Sequence, residues 1–277
     1  ANTLTILADH ILGDGAVETG YQRQRYPTFH AVRSDGELAS LLYEEVQNVQ
    51  AWYRMTTDGS IESISITPRE DEEDHVAYVI QREVNGNTER HIEFRASDQY
   101  RTLQNTDLDN MWFVDDGVKT TGTDLTEITG LDHLEGETVA ILADGAAMAE
   151  QVVSSGTVTL DYAADTVLVG RPYDMTLVPM FLESPQMMGQ AKNITGAIIR
   201  LWRAGRSEVR VSDEDQWSRL SLPPEYLDTA PPLYTGDSEK IHLSTAWDRN
   251  TTIEIKGRSP LPLAIQAITL EFEVGRG

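Results

Sequence analysis

The stretch His75-Val76-Ala77-Tyr78-Val79-Ile80-Gln81-Arg82-Glu83-Val84-Asn85-Gly86-Asn87-Thr88-Glu89-Arg90-His91-Ile92-Glu93-Phe94 decides the fold class. Two runs with period-two patterning, 75–84 and 88–94, flank Asn85-Gly86-Asn87. Asn-Gly favours the positive φ angles of a tight turn, so the stretch predicts a β-hairpin. Upstream, 37–43, 48–55 and 60–67 carry the same patterning. Short connections with turn chemistry join them, Ser34-Asp35-Gly36 and Asp58-Gly59 among them. Strands with such short connections predict an antiparallel meander of the kind seen in a propeller blade.

Downstream of Gly130 a second group follows. Residues 138–143, the turn Asp144-Gly145 and 147–153 read as a hairpin, followed by strands at 157–162 and 166–170. Four short strands cannot bury much alone and would close into a small barrel or lean on a neighbour, which predicts a compact inserted module, a small barrel, at about 130–175. Further strands are expected at 174–183, 193–202, 207–211, 239–243, 251–256 and 263–274. Pro223-Pro224 and Pro231-Pro232 mark a long connection that cannot be a central strand. Short helices are expected only near 99–104 and 224–227. The fold class is therefore all-β. An antiparallel, propeller-blade-like meander domain at 1–105 precedes a β-sandwich or barrel domain at 106–277, which carries the small barrel insertion.

Charge narrows the function. The chain has 22 Lys+Arg against 45 Asp+Glu, a net charge of -23. Such a surface repels phosphate backbones and anionic membranes, which excludes nucleic-acid binding through a basic patch. Zero cysteines exclude disulfides and thiolate metal sites. No apolar run reaches transmembrane length, and no charged segment leading into an apolar one opens the chain, so neither a membrane span nor a signal peptide is expected.

Candidate chemistry is sparse. The run Glu70-Asp71-Glu72-Glu73-Asp74-His75 offers oxygens for a hard cation, but charge runs are usually solvated, and a loop tip is expected. Asn105-Thr106-Asp107-Leu108-Asp109 begins like a calcium loop, yet Asn110 replaces the required Gly and Asp116 stands where a Glu is needed; a capped turn is expected. His10, His30, His75, His91, His133 and His242 lack the i, i+4 spacing of helical zinc sites. No Gly-x-Ser-x-Gly elbow, phosphate-binding loop or dinucleotide fingerprint occurs. Trp52, Tyr53, Trp112, Phe113, Trp202, Trp217 and Trp247 are dispersed among strands and are expected to anchor cores rather than line a sugar-binding face. The glycosylation patterns Asn193-Ile194-Thr195 and Asn250-Thr251-Thr252 read as chance matches. No catalytic, cofactor-binding or metal-ligating residue is assigned, and no cofactor is expected.

An ordered series of motifs resembles one family. It begins Tyr21-Gln22-Arg23-Gln24, Ala31-Val32-Arg33-Ser34-Asp35-Gly36, Val49-Gln50-Ala51-Trp52-Tyr53-Arg54 and Thr57-Asp58-Gly59. It continues through Ile92-Glu93, Phe113-Val114-Asp115-Asp116-Gly117 and Gly130-Leu131-Asp132-His133-Leu134-Glu135-Gly136. Pro232-Leu233-Tyr234-Thr235-Gly236-Asp237, Trp247-Asp248-Arg249 and Pro260-Leu261-Pro262-Leu263 complete it. The series resembles the C-terminal part of tail nozzle proteins, also called tail tubular protein B-like, of short-tailed phages and prophages. The first residue, Ala1, agrees with an expected fragment of something longer.

The resemblance implies a virion tail component without enzyme activity, assembled in the bacterial host cytoplasm. It would associate with itself into a ring and with other tail proteins, with DNA passing nearby without specific binding and no membrane involved. The other function class is a carbohydrate-binding or carbohydrate-degrading tail adhesin, which needs two carboxylates about 5 to 9.5 Å apart beside exposed aromatics.

Overall fold

In the computed structural model the Asn85-Gly86 turn closes a hairpin with Val84 paired to Asn87. Asn85 and Gly86 have φ of 48° and 76°, the pair of left-handed residues that matches the right-handed twist of the flanking strands. The loop is thus two residues long, and Asn87 belongs to the returning strand. The structure describes the chain except residues 1–3, 6–7, 25, 70–72, 98–107, 109, 182–186, 188, 212–215, 221–229, 244–245 and 276–277. The two short helices expected near 99–104 and 224–227 lie outside the described residues.

The described chain is all-β, with 3-10 turns at Asp9–Leu12 and Asp132–Leu134. It divides into two compact units: Ala1–Thr102 with Thr129–Glu137 and Val152–Val158, and Leu103–Ile128 with Thr138–Gln151 and Thr159–Gly277.

The first unit holds two antiparallel meanders. Strands β1 (Ala16–Gln22), β2 (Thr28–Arg33), β3 (Leu38–Glu44) and β4 (Val49–Met55) pair in chain order. So do β5 (Ser60–Thr67), β6 (His75–Val84) and β7 (Asn87–Phe94). Alternation along β6 buries Val76, Tyr78, Ile80, Arg82 and Val84. The first three of these pack with Ile61, Ile64, Val32 and Leu38, a core that joins the two sheets of this unit. Burying Ile80, 4% exposed, contributes about 2 kcal/mol by apolar area.

In the second unit, β8 (Asp115–Ile128), β9 (Thr138–Ala143), β10 (Ala146–Ala147), β11 (Gln151–Val152) and β12 (Val158–Arg171) form one sheet, in the order β10-β9-β12-β8 with β11 also on β9. None of the sheets closes on itself, so the expected small barrel at about 130–175 is instead an open five-stranded sheet. Two sequence features account for the difference. The run expected as strands 157–162 and 166–170 is one continuous 14-residue strand, β12, long enough to serve as a backbone for β8 and β9 together. The run expected at 147–153 is instead two two-residue strands, with 148–150 between them.

The rest of the second unit comprises β13 (Asp174–Leu177), β14 (Lys192–Ala204), β15 (Ser207–Val211), β16 (Ser218–Arg219), β17 (Tyr234–Asp237), β18 (Ile241–His242), β19 (Ile253–Arg258) and β20 (Ile265–Val274). One sheet has the order β13-β19-β15-β16, and in the other β14 pairs with β17, β18 and β20. Ile194, Ala197, Ile199, Leu201, Val209, Ile253 and Ile255 form the core shared by these two sheets. That is a sandwich arrangement, with alternating strand residues facing inward.

Candidate functional surfaces

Side chains that carry chemistry are mostly consumed by structure. Arg33, 4% exposed, donates to Ile11 O at 2.9 Å and pairs with Asp14, Asp35 and, at 3.5 Å, Glu37. Arg82 on β6 pairs with Glu93 on β7 at 2.7 Å with its side chain fully enclosed. In the second unit Arg258 pairs with Glu150 at 2.5 Å and with Asp174 at 3.0 Å, and Lys256 holds Asp174 from the other side at 2.8 Å. Those partners raise the Arg258 guanidinium above its ordinary range, Glu150 contributing most. Arg200–Asp237, Arg210–Glu254, Arg219–Glu208 and Lys240–Glu271 are further surface pairs across strands. Exposed pairs of this kind add little stability; their effect here is to use up cations.

The acidic run before β6 differs from the solvated tip expected. Residues 70–72 lie outside the described ones, but Asp74 is 4% exposed. Its Oδ2 accepts the backbone N–H groups of Arg23 at 2.7 Å and Gln24 at 3.0 Å, and its Oδ1 that of Arg69 at 3.2 Å. Burial pushes this carboxyl up, yet the three N–H donors outweigh it and hold it below the ordinary aspartate range. Of the capped turn expected at 105–109, residues 105–107 and 109 lie outside the described ones. Asp116, where a calcium loop would need a Glu, sits 3.7 Å from the buried Arg171.

The histidines are dispersed through both units. His30 is fully buried with Nδ1 2.8 Å from Ser40 Oγ, and His91 and His133 meet edge to face at 6.2 Å. A buried Ser–His contact has the components of a nucleophile and its base, but Ser40 and His30 are both 0% exposed, so no substrate reaches them.

None of the seven aromatics expected to anchor cores is fully buried, though Trp52 packs against the buried cluster of Ile11, Ala31 and Ala39. Trp52, Tyr53, Phe113, Trp202 and Trp217 are half-buried, while Trp112 and Trp247 are 41% and 51% exposed. The cores are instead filled by Ile, Leu, Val and Ala, whose shapes suit closely spaced strands. Two of the tryptophans keep an edge in water and meet cations. Trp217 lies 4.5 Å from the Arg210 guanidinium and 5.8 Å from Lys256 Nζ, and Trp202 lies 5.6 Å from Arg203.

One strand pair carries an excess of acid. Strands β8 and β12 carry six acids, Asp115, Asp116, Asp124, Glu127, Asp161 and Asp165, against two bases, Lys119 and Arg171. Arg171 is buried against Asp116, and Lys119 donates to Asn110 at 2.5 Å. Among the described residues no cation pairs with Asp124, Glu127, Asp161 or Asp165, all four of them exposed. The backbone holds some of them in place. Asp165 accepts the N–H of Asp124 at 3.0 Å, and Asp144, in the β9–β10 turn, accepts those of Asp165 and Thr166 at 3.1 and 2.8 Å. Tyr162 registers the field: burial raises its phenol above the ordinary value, and Asp144 and Asp161 raise it further. Unpaired carboxylates also occur elsewhere, Asp9, Glu45 and Glu239 among them.

No family model matches the chain, and no curated protein matches it.

Proposed function

We propose that this chain is a structural protein of a phage or prophage tail, a nozzle or tail-tube subunit contributing to a DNA-conducting channel. The uncompensated acidic ribbon of β8 and β12 carries the reading. DNA must slide through a tail without sticking, and each Lys–phosphate contact releases counterions and adds affinity that slows it. A surface of unpaired carboxylates repels phosphates and keeps the duplex off the wall. The ordered motif series from Tyr21 to Leu263 supports the same reading, as does the use of most cations in internal pairing. On this reading the chain is not an enzyme. It forms rings with copies of itself and contacts other tail proteins, in a virion assembled in the host cytoplasm.

The test replaces Asp124, Glu127, Asp161 and Asp165 with Lys and compares retention of random-sequence duplex DNA in a gel at low salt. The parent chain is expected to leave the duplex free. The variant should retain it, with an affinity that falls steeply as salt rises. Tight, salt-sensitive retention by the parent chain would overturn the non-stick surface. Rings in negative-stain images would support the subunit reading. Selective binding on a glycan array, with reducing sugar released, would replace it with the carbohydrate-active alternative.

A further inference from the structure

The first unit has an apolar end and a polar end. The apolar core around Ile61, Ile64, Val76 and Ile80 joins its two sheets at one place. At another they are joined by a chain of polar contacts that starts on a buried histidine. His30 on β2 is 0% exposed, with Nδ1 2.8 Å from Ser40 Oγ on β3 and Nε2 3.5 Å from Gln22 Oε1 at the end of β1. The same Gln22 Oε1 accepts from Arg95 Nη1 at 2.9 Å, just beyond β7. Gln22 Nε2 donates to Gln24 O at 2.8 Å and to Glu73 Oε1 at 3.4 Å, and Glu73 Oε2 accepts from Ser97 Oγ at 2.8 Å. The residues that follow Gln22 are those whose N–H groups Asp74 accepts.

We propose that this polar cluster is an acid-opened latch: protonation of His30 expels Gln22 and with it releases the 22–24 segment from Asp74. A neutral ring satisfies both neighbours, because Nε2–H donates to Gln22 Oε1 and Nδ1 accepts from the Ser40 hydroxyl. A second ring proton lands on Nδ1, where the Ser40 hydroxyl must turn to accept. It leaves an imidazolium sharing the Gln22 acceptor with the Arg95 guanidinium in a buried site. The charged and titratable groups about the cluster are Arg95 after β7, Glu73 and Asp74 before β6, Arg23 beside Gln22, whose charge acts on Asp74, and Arg69, which donates its N–H to Asp74 and meets His75. On β1, Glu18 turns to β5 and accepts the Ile64 N–H at 3.1 Å. Glu73 accepts from the Gln22 amide, whose oxygen faces the ring.

Burial, and then Arg95, hold the ring in its neutral form, lowering it from 6.5 to about 4. The opened latch exposes the ring and lets it titrate near its ordinary value. Opening therefore takes up one proton between these two values, and its equilibrium constant rises about tenfold per pH unit as pH falls through that window. The sign follows from a lowered folded value for a base. The closed state is favoured in full above about 6.5, loses ground on acidification, and stops losing it below about 4.

Hydrogen exchange on the intact chain reads this directly. Protection factors of the Arg23, Gln24 and Arg69 amides should fall about tenfold between pH 6 and 5, while those of Val79 and Ile80 in the adjoining sheet stay level. His30→Gln keeps an amide in place of the ring and cannot titrate, so its protection should be flat across this range. Flat protection in the parent chain, or an equal fall in His30→Gln, would overturn the proposal. Should the variant not fold, the ring of the parent chain decides by nuclear magnetic resonance. Titration near 6.5 without loss of protection would overturn the latch, and a ring neutral at pH 5 whose neighbours lose protection would sustain it.

Discussion

The hairpin β6–β7 and the ribbon of β8 beside β12 are both neighbouring strand pairs, held by opposite means. In the hairpin the strands are joined by two residues, and one face is apolar from Val76 to Val84. In the ribbon the partners are 14 residues each and separated in sequence by β9, β10 and β11. β8 buries only Ile128 fully, and its outer half, from Thr121 to Glu127, is polar apart from Leu125. The hairpin keeps its register because a one-residue slip would turn its apolar side chains to water. In the ribbon β12 buries Val158, Leu160, Val167, Leu168 and Val169, whereas its exposed stretch rests on backbone devices: Asp116 and Asp124 at φ 51°, the Asp165 carboxylate accepting the Asp124 N–H across the pair, and a glycine where the strands crowd. A pair held by its backbone leaves its side chains free, and here they are acids.

That contrast predicts unequal responses to the same kind of truncation. Ile80→Ala in the hairpin empties a filled site and should cost about 2–5 kcal/mol, seen as a fall in the denaturant midpoint with lost protection along β5–β7. Thr123→Ala on the ribbon removes only exposed atoms and should stay within about 0.5 kcal/mol. Equal costs would break the distinction.

Glycine substitutions sharpen it next. A Cβ at Gly170 on β12 would stand 2.7 Å from Asp115 O and 2.9 Å from Gly117 Cα, and backbone cannot step aside as a side chain can. Gly170→Ala should therefore force the ribbon apart and cost about 1–3 kcal/mol or more. At Gly86 a Cβ would meet nothing within 4 Å, so Gly86→Ala is charged only for its φ of 76°, about 1 kcal/mol. Thermal unfolding of the two variants should rank them in that order.

The same contrast explains what the sequence made legible. Strands β5, β6, β9 and β15 fall on the bounds expected from patterning, because β5, β6 and β15 have one buried face, and β9, buried on both, is a continuous apolar run that ends at the Asp144-Gly145 turn. The 14-residue β8 carries no such pattern: Thr-rich, interrupted by Gly117 and Gly122, it is kinked at two aspartates that reset the alternation. Strand β2 was hidden differently. Its buried positions include His30 and Arg33, so a polar residue stands where an apolar one marks an inward face. The expected strand at 174–183 ends at Leu177, two residues before Pro179, which has no N–H for a ladder. The excess of acid was plain in the composition, whereas its concentration beyond the reach of cations was not. That depends on which strands lie side by side, and β8 and β12 are about 40 residues apart in sequence.

The smallest expected effect tests the ribbon's field alone. Tyr162 sits on β12 beside Asp161, and its phenol is raised first by burial and then by Asp144 and Asp161. Asp161→Asn removes one of those charges and leaves the burial, so the titration of Tyr162 at 295 nm should move down in pH without returning to the ordinary value. A raised value for an acid means that the neutral phenol is the form the fold prefers. Ionisation at high pH therefore destabilises the ribbon, and the variant should lose less stability there than the parent chain. Added salt should shrink the difference between the two, since the Asp161–Tyr162 interaction lies at an exposed surface. If the titration did not move at low salt, the carboxylates of the ribbon would be screened already, and the repulsion assigned to this surface would have no source in β12.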